Sequence, residues 1–243
     1  MTGMHSMKNT TATMSSVREP IFSAEQFDLL QSIMQMKAVK DGAHLYWEGD
    51  ASDSLYYVKQ GQVRITKSAD NGRTLTLYQH VPGDLFGQLD PFRNSAHGFN
   101  AVAMENCQIG IMKHKDIETQ LQRNGELAVA FMKWLGLTHR MTQMKLRDLM
   151  MFGKAGALCS LLIRLNNTFG KARGGKRVIT LKLTNAEMAD MIGTTRESVN
   201  RLLSDMKKEG IISIEDGFLC IEKLEFLRES CSCEGCPDEI CRM

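Results

Sequence analysis

Four cysteines lie close together near the C-terminal end of the sequence, and they are the side chains best suited to chemistry. Residues 231–241 read CSCEGCPDEIC, which places thiols at Cys231, Cys233, Cys236 and Cys241. The other three cysteines, Cys107, Cys159 and Cys220, are scattered among apolar neighbours. A group of thiolates this dense can bind zinc, hold an iron–sulfur cluster or exchange disulfides. The spacing alone does not choose between these three chemistries.

The composition sets the compartment in which such thiols are expected. The chain has 243 residues, 43% of them hydrophobic, and a formal net charge of +2. It has no secretory signal, and no apolar run approaches the roughly 20 residues needed to span a bilayer. We therefore expect a cytoplasmic protein without a membrane partner, in which clustered cysteines bind metal or sense redox state. No dinucleotide fingerprint, P-loop or Ser/His/Asp arrangement stands out, so we do not expect an enzyme.

The first half of the chain predicts a β-rich domain. Residues 1–20 lack periodicity and are expected to form a flexible arm. Residues 22–36 predict a short amphipathic helix with Ser23 as N-cap and Gln26 completing a capping box. Short apolar runs separated by glycine and aspartate follow as far as residue 112, and Asn71-Gly72 is a strong hairpin signal. Many short strands with regular turns predict an antiparallel barrel or sandwich.

A long helix is predicted over residues 125–152. Its apolar seam comprises Leu127, Ala130, Trp134, Leu137, Met141, Met144, Asp148 and Met151. A seam sustained over this length predicts a homodimer in which the helix packs on its own copy. The alternative is a helix packed on its own domain, which also accounts for the first half of the seam.

Asp148 is the exception in that apolar seam, and a buried carboxylate is costly unless it is paired or bound to metal. Three interpretations are open. Asp148 pairs with Arg147 or Lys145 at the fraying end of the helix, it faces solvent because the seam has splayed, or it is a ligand.

The second half of the chain predicts a winged helix-turn-helix. After a helix over residues 153–169 comes a basic loop that contains Lys171, Arg173, Lys176, Arg177 and Lys182. Residues 183–193 form a short helix with a Thr184/Glu187 capping box and a turn at Gly193, and Thr194-Thr195-Arg196-Glu197 opens a second helix with a second capping box. Residues 211–214 and 218–221 make a two-stranded wing.

The second of these helices has the pattern of a recognition helix. Its outer face near the N-terminus carries Thr195, Arg196, Glu197, Asn200 and Arg201, where side chains can reach base edges of double-stranded DNA. Glu197 is open to a second interpretation, in which it only closes the capping box. Lys182 and the loop over 171–177 are candidate phosphate contacts.

These elements and the sequence Thr195-Arg196-Glu197-Ser198-Val199-Asn200-Arg201 resemble the CRP/FNR transcription factors from about residue 21 to 229. The resemblance implies an α+β fold with an N-terminal antiparallel β-roll, a dimerisation helix and a C-terminal winged helix-turn-helix. It also implies that Arg196, Glu197 and Arg201 read a TGTGA-type half-site, and that RNA polymerase is a partner. The β-roll of this family can bind cyclic nucleotide through a Gly-Glu-Leu stretch and an Arg-Ser pair. Here the sequence has Gln88 in place of the carboxylate and 96–99 in place of the pair, so no cyclic-nucleotide site is expected.

The tail is similar to that of the Bacillus-type FNR, in which three C-terminal cysteines and one aspartate of the dimer helix hold a 4Fe–4S cluster. The resemblance implies Cys233, Cys236, Cys241 and Asp148 as ligands of one cluster per subunit, with Cys231 open as a replacement ligand. The implied function is oxygen-responsive, sequence-specific regulation of transcription. A structural zinc site in a DNA-binding regulator, or an iron–sulfur electron-transfer protein, are the alternatives. The expected division is 1–20 arm, 21–124 β-roll, 125–152 dimerisation helix, 153–229 winged helix-turn-helix and 230–243 cluster-binding tail.

Overall fold

The computed structural model of the protein describes residues 21–89, 95–174 and 176–243. The expected N-terminal arm lies outside these residues. The first element is helix α1 (Ala24–Ser32), which begins at Ser23 with the capping box that Gln26 was predicted to complete. The box satisfies two backbone N–H groups that a helix end otherwise leaves without partners.

Eight strands follow and form an antiparallel β-roll, as predicted. They are β1 (Gln35–Val39), β2 (His44–Tyr46), β3 (Ser54–Gln60), β4 (Val63–Ser68), β5 (Thr74–His80), β6 (Leu85–Gly87), β7 (Asn100–Ala103) and β8 (Cys107–Lys113). Two four-stranded sheets, ordered β1-β8-β3-β6 and β2-β7-β4-β5, enclose the core between them. The turn between β4 and β5 is the predicted Asn71-Gly72 hairpin, with φ of 78° at Gly72.

Helices α2 (His114–Arg123) and α3 (Gly125–Met151) leave the β-roll. The predicted seam of α3 is wrong as a dimer face, because most of it packs on the chain's own β-roll. Leu127 and Trp134 are buried with α1 and β3 residues, and Leu137 and Met141 pack on the core between the two sheets. Most of the exposed apolar residues of α3 lie elsewhere on the helix, among them Met132, Leu135 and Leu146.

The C-terminal half contains α4 (Gly153–Phe169), β9 (Gly170–Arg173), β10 (Lys176–Ile179), α5 (Asn185–Met191), α6 (Arg196–Lys208), β11 (Ile212–Glu215), β12 (Phe218–Ile221) and α7 (Leu224–Ser230). The predicted helix-turn-helix is present as α5 and α6. Two details of the prediction are wrong. The basic loop forms the β9–β10 hairpin, and the wing belongs to a four-stranded sheet ordered β11-β12-β10-β9 rather than a two-stranded one. Pairing of Val178 with Cys220 joins the two hairpins.

Helix α4 is the centre of this half, and residues 156–166 are all buried. Helix α4 is covered on every side, and the C-terminal tail is one of the segments that cover it. Beyond α7 the tail folds back along α4. The side-chain amide of Asn167 donates to the Cys241 carbonyl at 2.7 Å, and the Met243 amide donates to the Thr168 hydroxyl at 3.0 Å. Across the described part of the chain, no helix is long and apolar enough to cross a membrane.

Candidate functional site: the junction of the tail with helices α3 and α4

The carboxylate of Asp148 lies at the point where α3, α4 and the tail meet. Asp148 is 3% exposed, three residues before the end of α3. One carboxylate oxygen accepts from Nε and Nη2 of Arg147 at 3.2 and 2.9 Å. The other accepts from the Ser160 hydroxyl and from Nη2 of Arg164 at 2.8 Å. Two guanidinium groups and one hydroxyl therefore compensate the cost of burying this charge.

These contacts decide two of the three interpretations of Asp148, namely exposure to solvent and pairing with Arg147 or Lys145. Exposure to solvent is wrong, since the side chain is buried. The pairing with Arg147 is present, although the site is buried rather than fraying. Lys145 instead donates to the Leu77 carbonyl at 2.8 Å and lies 4.1 Å from the centre of the Tyr78 ring. Burial, with the nearby charges of Arg164 and Arg242, holds the pKa of Lys145 well below its usual value.

The tail cysteines surround a small pocket on the other side of the same side chains. Its lining comprises Met144, Arg147, Ser160, Ile163, Arg164, Cys231, Cys233, Glu234, Cys236, Ile240 and Cys241. Asp148 is not part of the lining, but Arg147, Ser160 and Arg164, which all donate to its carboxylate, are. The structure thus brings the four thiols together and places Asp148 one side chain away. Within the described residues, no group of three or more His, Cys, Asp or Glu side chains is arranged to hold a metal ion.

The four thiols do not share one environment. Cys231 is 2% exposed and belongs to the apolar core around α4, and its thiol points to the Arg228 carbonyl at 3.7 Å. Cys233, Cys236 and Cys241 are half-buried. Burial, reinforced by the charges of Cys233 and Asp148, raises the pKa of Cys231 to about 12. Burial also raises the pKa of Cys241, to about 11, although Arg164 acts against it. A metal that bound these two thiols would have to displace their protons.

Arg147 and Arg164 connect Asp148 to the tail. Nη1 of Arg147 donates to the carboxylate of Glu234, and Nη1 of Arg164 donates to the Ile240 carbonyl at 3.2 Å. Sequence reasoning missed Arg164 and Ser160. One signal was available: Arg164 is a charged residue inside the apolar run 161–165, and Ser160 lies four residues before it, so both lie on one helix face.

The tail also reaches the β-roll. Arg242 donates to the carboxylate of Asp84 at 2.7 Å, and Asp84 further accepts from the Val81 amide at 3.0 Å and lies 3.6 Å from Nδ1 of His80. Burial by itself raises the pKa of Asp84, but the His80 hydrogen bond and the Arg242 charge outweigh it and lower the pKa to about 2. Separately, Arg64 of β4 donates to the Glu187 carboxylate of α5 at 3.0 Å. The β-roll therefore contacts both the tail and the helix-turn-helix.

The predicted DNA-facing residues lie together on the surface of α6. Arg196, Glu197, Asn200 and Arg201 are exposed, while Val199 and Met206 are buried on the opposite face. The Thr195 side chain caps the helix by accepting from the Ser198 amide. The second capping box was predicted wrongly. With Thr195 as the N-cap, Ser198 and not Glu197 occupies the position that the box requires to be Glu or Gln. Glu197 is thus left out of the cap, and its carboxylate faces outward. Lys182 is exposed, with its ammonium 4.6 Å from the centre of the Phe218 ring in the wing.

Two tyrosine rings of the β-roll, Tyr46 and Tyr56, contact His97, which lies in the segment 96–99. His97 is buried and stacks on Tyr46, with ring centres 3.5 Å apart and ring planes 10° apart. Burial lowers the pKa of His97, so its imidazole is neutral at pH 7. Neither this ring nor the exposed amide of Gln88 supplies a charge for a cyclic phosphate or a ribose hydroxyl.

A β-roll joined by a long helix to a helix-turn-helix defines a DNA-binding regulator with a sensor-type domain. Residues 36–124 match the cyclic nucleotide-binding domain, and residues 156–230 match the Crp-like helix-turn-helix domain. The chain belongs to the CRP/FNR family of transcription regulators. Its relatives are regulators rather than enzymes, which confirms that expectation.

Two curated relatives differ in what their names say. The "Anaerobic regulatory protein" of Bacillus subtilis is 36% identical over 92% of this chain and 94% of its own length. The "CRP-like cAMP-activated global transcriptional regulator" of Mycobacterium tuberculosis is 28% identical over 76% of this chain and 83% of its own length.

Solved structures share the fold. FixK2 from Bradyrhizobium japonicum superposes with a TM-score of 0.68 at 20% identity, covering 81% of this chain and 96% of its own. A CooA mutant from Carboxydothermus hydrogenoformans superposes with a TM-score of 0.69 at 23% identity, covering 82% and 88%. Identities this low establish the fold alone.

Proposed function

We propose that this regulator responds to oxygen through a 4Fe–4S cluster, one per subunit, held by Cys233, Cys236, Cys241 and Asp148. The observation that carries the proposal is the meeting of the tail thiols with the end of α3, beside α4, at one buried junction. The similarity to the Bacillus subtilis anaerobic regulatory protein extends over 92% of the chain and supports the same conclusion.

The donor set fits iron–sulfur chemistry in type, and a cluster would require Asp148 to rearrange, because Asp148 does not line the thiol pocket. Thiolates are the usual protein ligands of such clusters, and Cys233, Cys236 and Cys241 are the three half-buried thiols at the pocket. Cys231, buried in the α4 core, is left out of our ligand set. Asp148 has to exchange at least one of its hydrogen-bond donors for iron. A bound cluster would supply a group that oxygen destroys, and a carboxylate is a poorer match to it than a thiolate.

The chain's own contacts connect this site to DNA binding. Asp148 lies in the last turn of α3, while Ser160 and Arg164 belong to α4, the central helix of the DNA-binding half. A change in what Asp148 binds therefore changes what holds α4 against α3. Two arrangements of this junction that bind the tail differently give the differential contacts that a switch requires.

The homodimer forms, in this proposal, through an exposed apolar face of α3. Met132, Leu135, Leu146 and Leu149 are between 38% and 62% exposed, and with His139 and Thr142 they recur at heptad spacing. CRP-family regulators are dimeric, which fits this face.

Replacing Leu135 with Glu is expected to raise the dimer dissociation constant at least about tenfold. Light scattering measures it, with Lys133→Glu, off the seam, as control. Equal dimerisation by both variants would reject the face.

DNA reading is assigned to α6, on palindromic operators built from TGTGA-type half-sites. Arg196, Glu197 and Arg201 are the base-reading candidates, with Thr195 and Asn200 beside them and Lys182 on phosphate. RNA polymerase is the further partner that we propose.

Arg196→Ala is expected to lose about 1–3 kcal/mol of preference for TGTGA over TTGAT sites. Lys182→Ala is expected to weaken binding to both kinds of site by the same factor. Fluorescence anisotropy at fixed salt measures both variants.

Metal analysis of anaerobically purified protein is the main test of the cluster. We expect about four iron and four sulfide per chain. One zinc per chain would instead identify a structural zinc site. Cys236→Ser is expected to abolish iron binding, while Cys231→Ser keeps it, and Asp148→Asn lowers it. On exposure of the parent to air, visible absorbance and operator affinity should fall together. If operator affinity is unchanged when the absorbance is lost, the sensing role fails.

The β-roll is proposed not to bind cyclic nucleotide, unlike what the name of the Mycobacterium tuberculosis relative states for that protein. The family resemblance assigns a carboxylate and an Arg-Ser pair to a cyclic-nucleotide site, and this chain has Gln88 and residues 96–99 at those positions. Calorimetry with cAMP and cGMP tests this, and micromolar affinity for either nucleotide would contradict it.

A further inference from the structure

Arg164 is an arginine in the middle of an apolar helix, and one guanidinium there joins two separate parts of the chain. Its side chain is 6% exposed. Nη2 donates to the Asp148 carboxylate at 2.8 Å, and Nη1 donates to the Ile240 carbonyl at 3.2 Å. Ile240 directly precedes Cys241. Arg164 therefore fixes the distance between the last tail cysteine and the end of α3.

The Asp148 carboxylate has no acceptor capacity to spare in this arrangement. Two oxygens offer about four lone-pair directions, and four donor atoms occupy them, two from Arg147, one from Ser160 and one from Arg164. Any new ligand on this carboxylate must replace a donor.

The donors are not equally held. Ser160 and Arg164 are buried on α4, at 6% and 5% exposed. The Arg147 side chain is 19% exposed, and it already donates to Glu234, whose side chain is 62% exposed. Arg147 thus has a second acceptor on the tail and a path to solvent, which the other two donors lack.

We propose that Arg164 is the positioning residue of this site, holding Asp148 and the tail backbone together, and that Arg147 is the donor which Asp148 gives up when it ligates iron. The exchange of donors at Arg147 rests on the proposed function, and the positioning role of Arg164 does not. Three thiolates and a carboxylate on a cluster core of charge +2 leave −2, which the buried guanidinium of Arg164 offsets more strongly than the partly exposed one of Arg147. Such charge compensation around a metal site sets its affinity and potential.

Two matched variants of the full-length chain, Arg164→Gln and Arg147→Gln, test the first half without metal. Each removes one guanidinium and keeps an amide donor. The protein is stripped with chelator under nitrogen, and alkylation of Cys241 by iodoacetamide is followed by mass spectrometry. Loss of the Arg164 charge by itself raises the pKa of Cys241 and slows its alkylation, so a faster reaction reports release of the tail backbone. We expect Arg164→Gln to react about tenfold faster than the parent, the factor that one charge-assisted hydrogen bond is worth. Arg147→Gln should stay within about threefold of the parent, because Arg147 does not hold the backbone beside Cys241.

Reconstitution with iron and sulfide tests the second half. Arg164→Gln is expected to bind at least about fivefold less iron than the parent, and Arg147→Gln to stay within about twofold. Where Arg164→Gln retains cluster, its reduction potential should be more negative than that of Arg164→Lys, which keeps the charge and should match the parent. A purely structural role would leave the two potentials equal.

The two halves fail separately. Equal alkylation rates in the parent and Arg164→Gln overturn the anchoring role, whatever metal is bound. Equal iron loss in Arg147→Gln and Arg164→Gln overturns the exchange of donors. A parent that binds no iron refutes the proposed function and the exchange, but leaves the alkylation result to decide the anchor. If circular dichroism shows that Arg164→Gln does not fold, Arg164→Lys replaces it. Its single ammonium nitrogen keeps the charge but does not reproduce the separate Nη1 and Nη2 contacts, so parent-like alkylation then rejects the anchor.

Discussion

Two buried aspartates anchor the C-terminal tail, one on each side, and they are built differently. Asp84 in the β5–β6 turn binds Arg242, and Asp148 at the end of α3 binds Arg164, which in turn holds Ile240. Both residues are at most 4% exposed. Each therefore requires partners that compensate a buried charge.

The difference lies in where the partners come from. Asp84 accepts from the backbone of its own turn at Val81 and interacts with His80, so part of its support is local in sequence. Asp148 accepts from side chains of α3 and α4, and two of these reach onward to the tail. A locally supported carboxylate keeps its place when one distant partner leaves. A carboxylate held by several elements transmits a change in any of them, which is the property a switch needs.

Removing the Asp148 carboxylate should have the largest effect on stability. Asp148→Ala leaves Arg164 buried without its anionic partner, so we expect the metal-free chain to lose about 3–5 kcal/mol of unfolding free energy. Urea denaturation measures it. Asp205→Ala is the matched control, because Asp205 is an exposed aspartate 3.7 Å from Lys208. We expect that control to change by less than about 0.5 kcal/mol. A similarly small change for Asp148→Ala would contradict the buried network.

Removing the Asp84 charge should have a smaller, pH-dependent effect. Its pKa falls from 3.8 to about 2 on folding, so the stabilisation is complete above pH 3.8 and is lost as the pH falls towards 2. We expect Asp84→Asn to be about 2 kcal/mol less stable than the parent at pH 6, with the difference vanishing near pH 2. Denaturation curves between these pH values measure it, and a constant difference would refute the linkage.

The pair of Arg64 with Glu187 joins the β-roll to α5 without the tail, and it should have the smallest effect. Its side chains are 11% and 28% exposed, so water screens the pair in part. We expect a double-mutant cycle of Arg64→Gln and Glu187→Gln to give a coupling energy of about 1 kcal/mol or less. Glutamine at 187 still completes the capping box with Thr184, which separates the pair from the cap. A coupling energy as large as the loss expected for Asp148→Ala would contradict a weak contact that water screens.

Local patterns in the sequence were enough for the elements and for the family. The Ser23 and Thr184 capping boxes and the Asn71-Gly72 hairpin depend on residues only two or three positions apart, and all three are present. The crowding of thiols over residues 231–241 was also visible, because the spacing of neighbouring cysteines is a local pattern. The sequence did not say which face of α3 is free, since period alone cannot tell a helix packed on its own domain from one packed on a copy.

The tertiary structure alone decided the surroundings of the chemistry. Arg164 lies 16 residues from Asp148 and 76 from Ile240, and Arg242 lies 158 from Asp84. No local propensity encodes such pairs, because they form only when the tail folds back over α4. Burial then separates Cys231 from the other three thiols, although all four stand within eleven residues of one another. The sequence determined which groups are available, and the packing around α4 determined which of them meet.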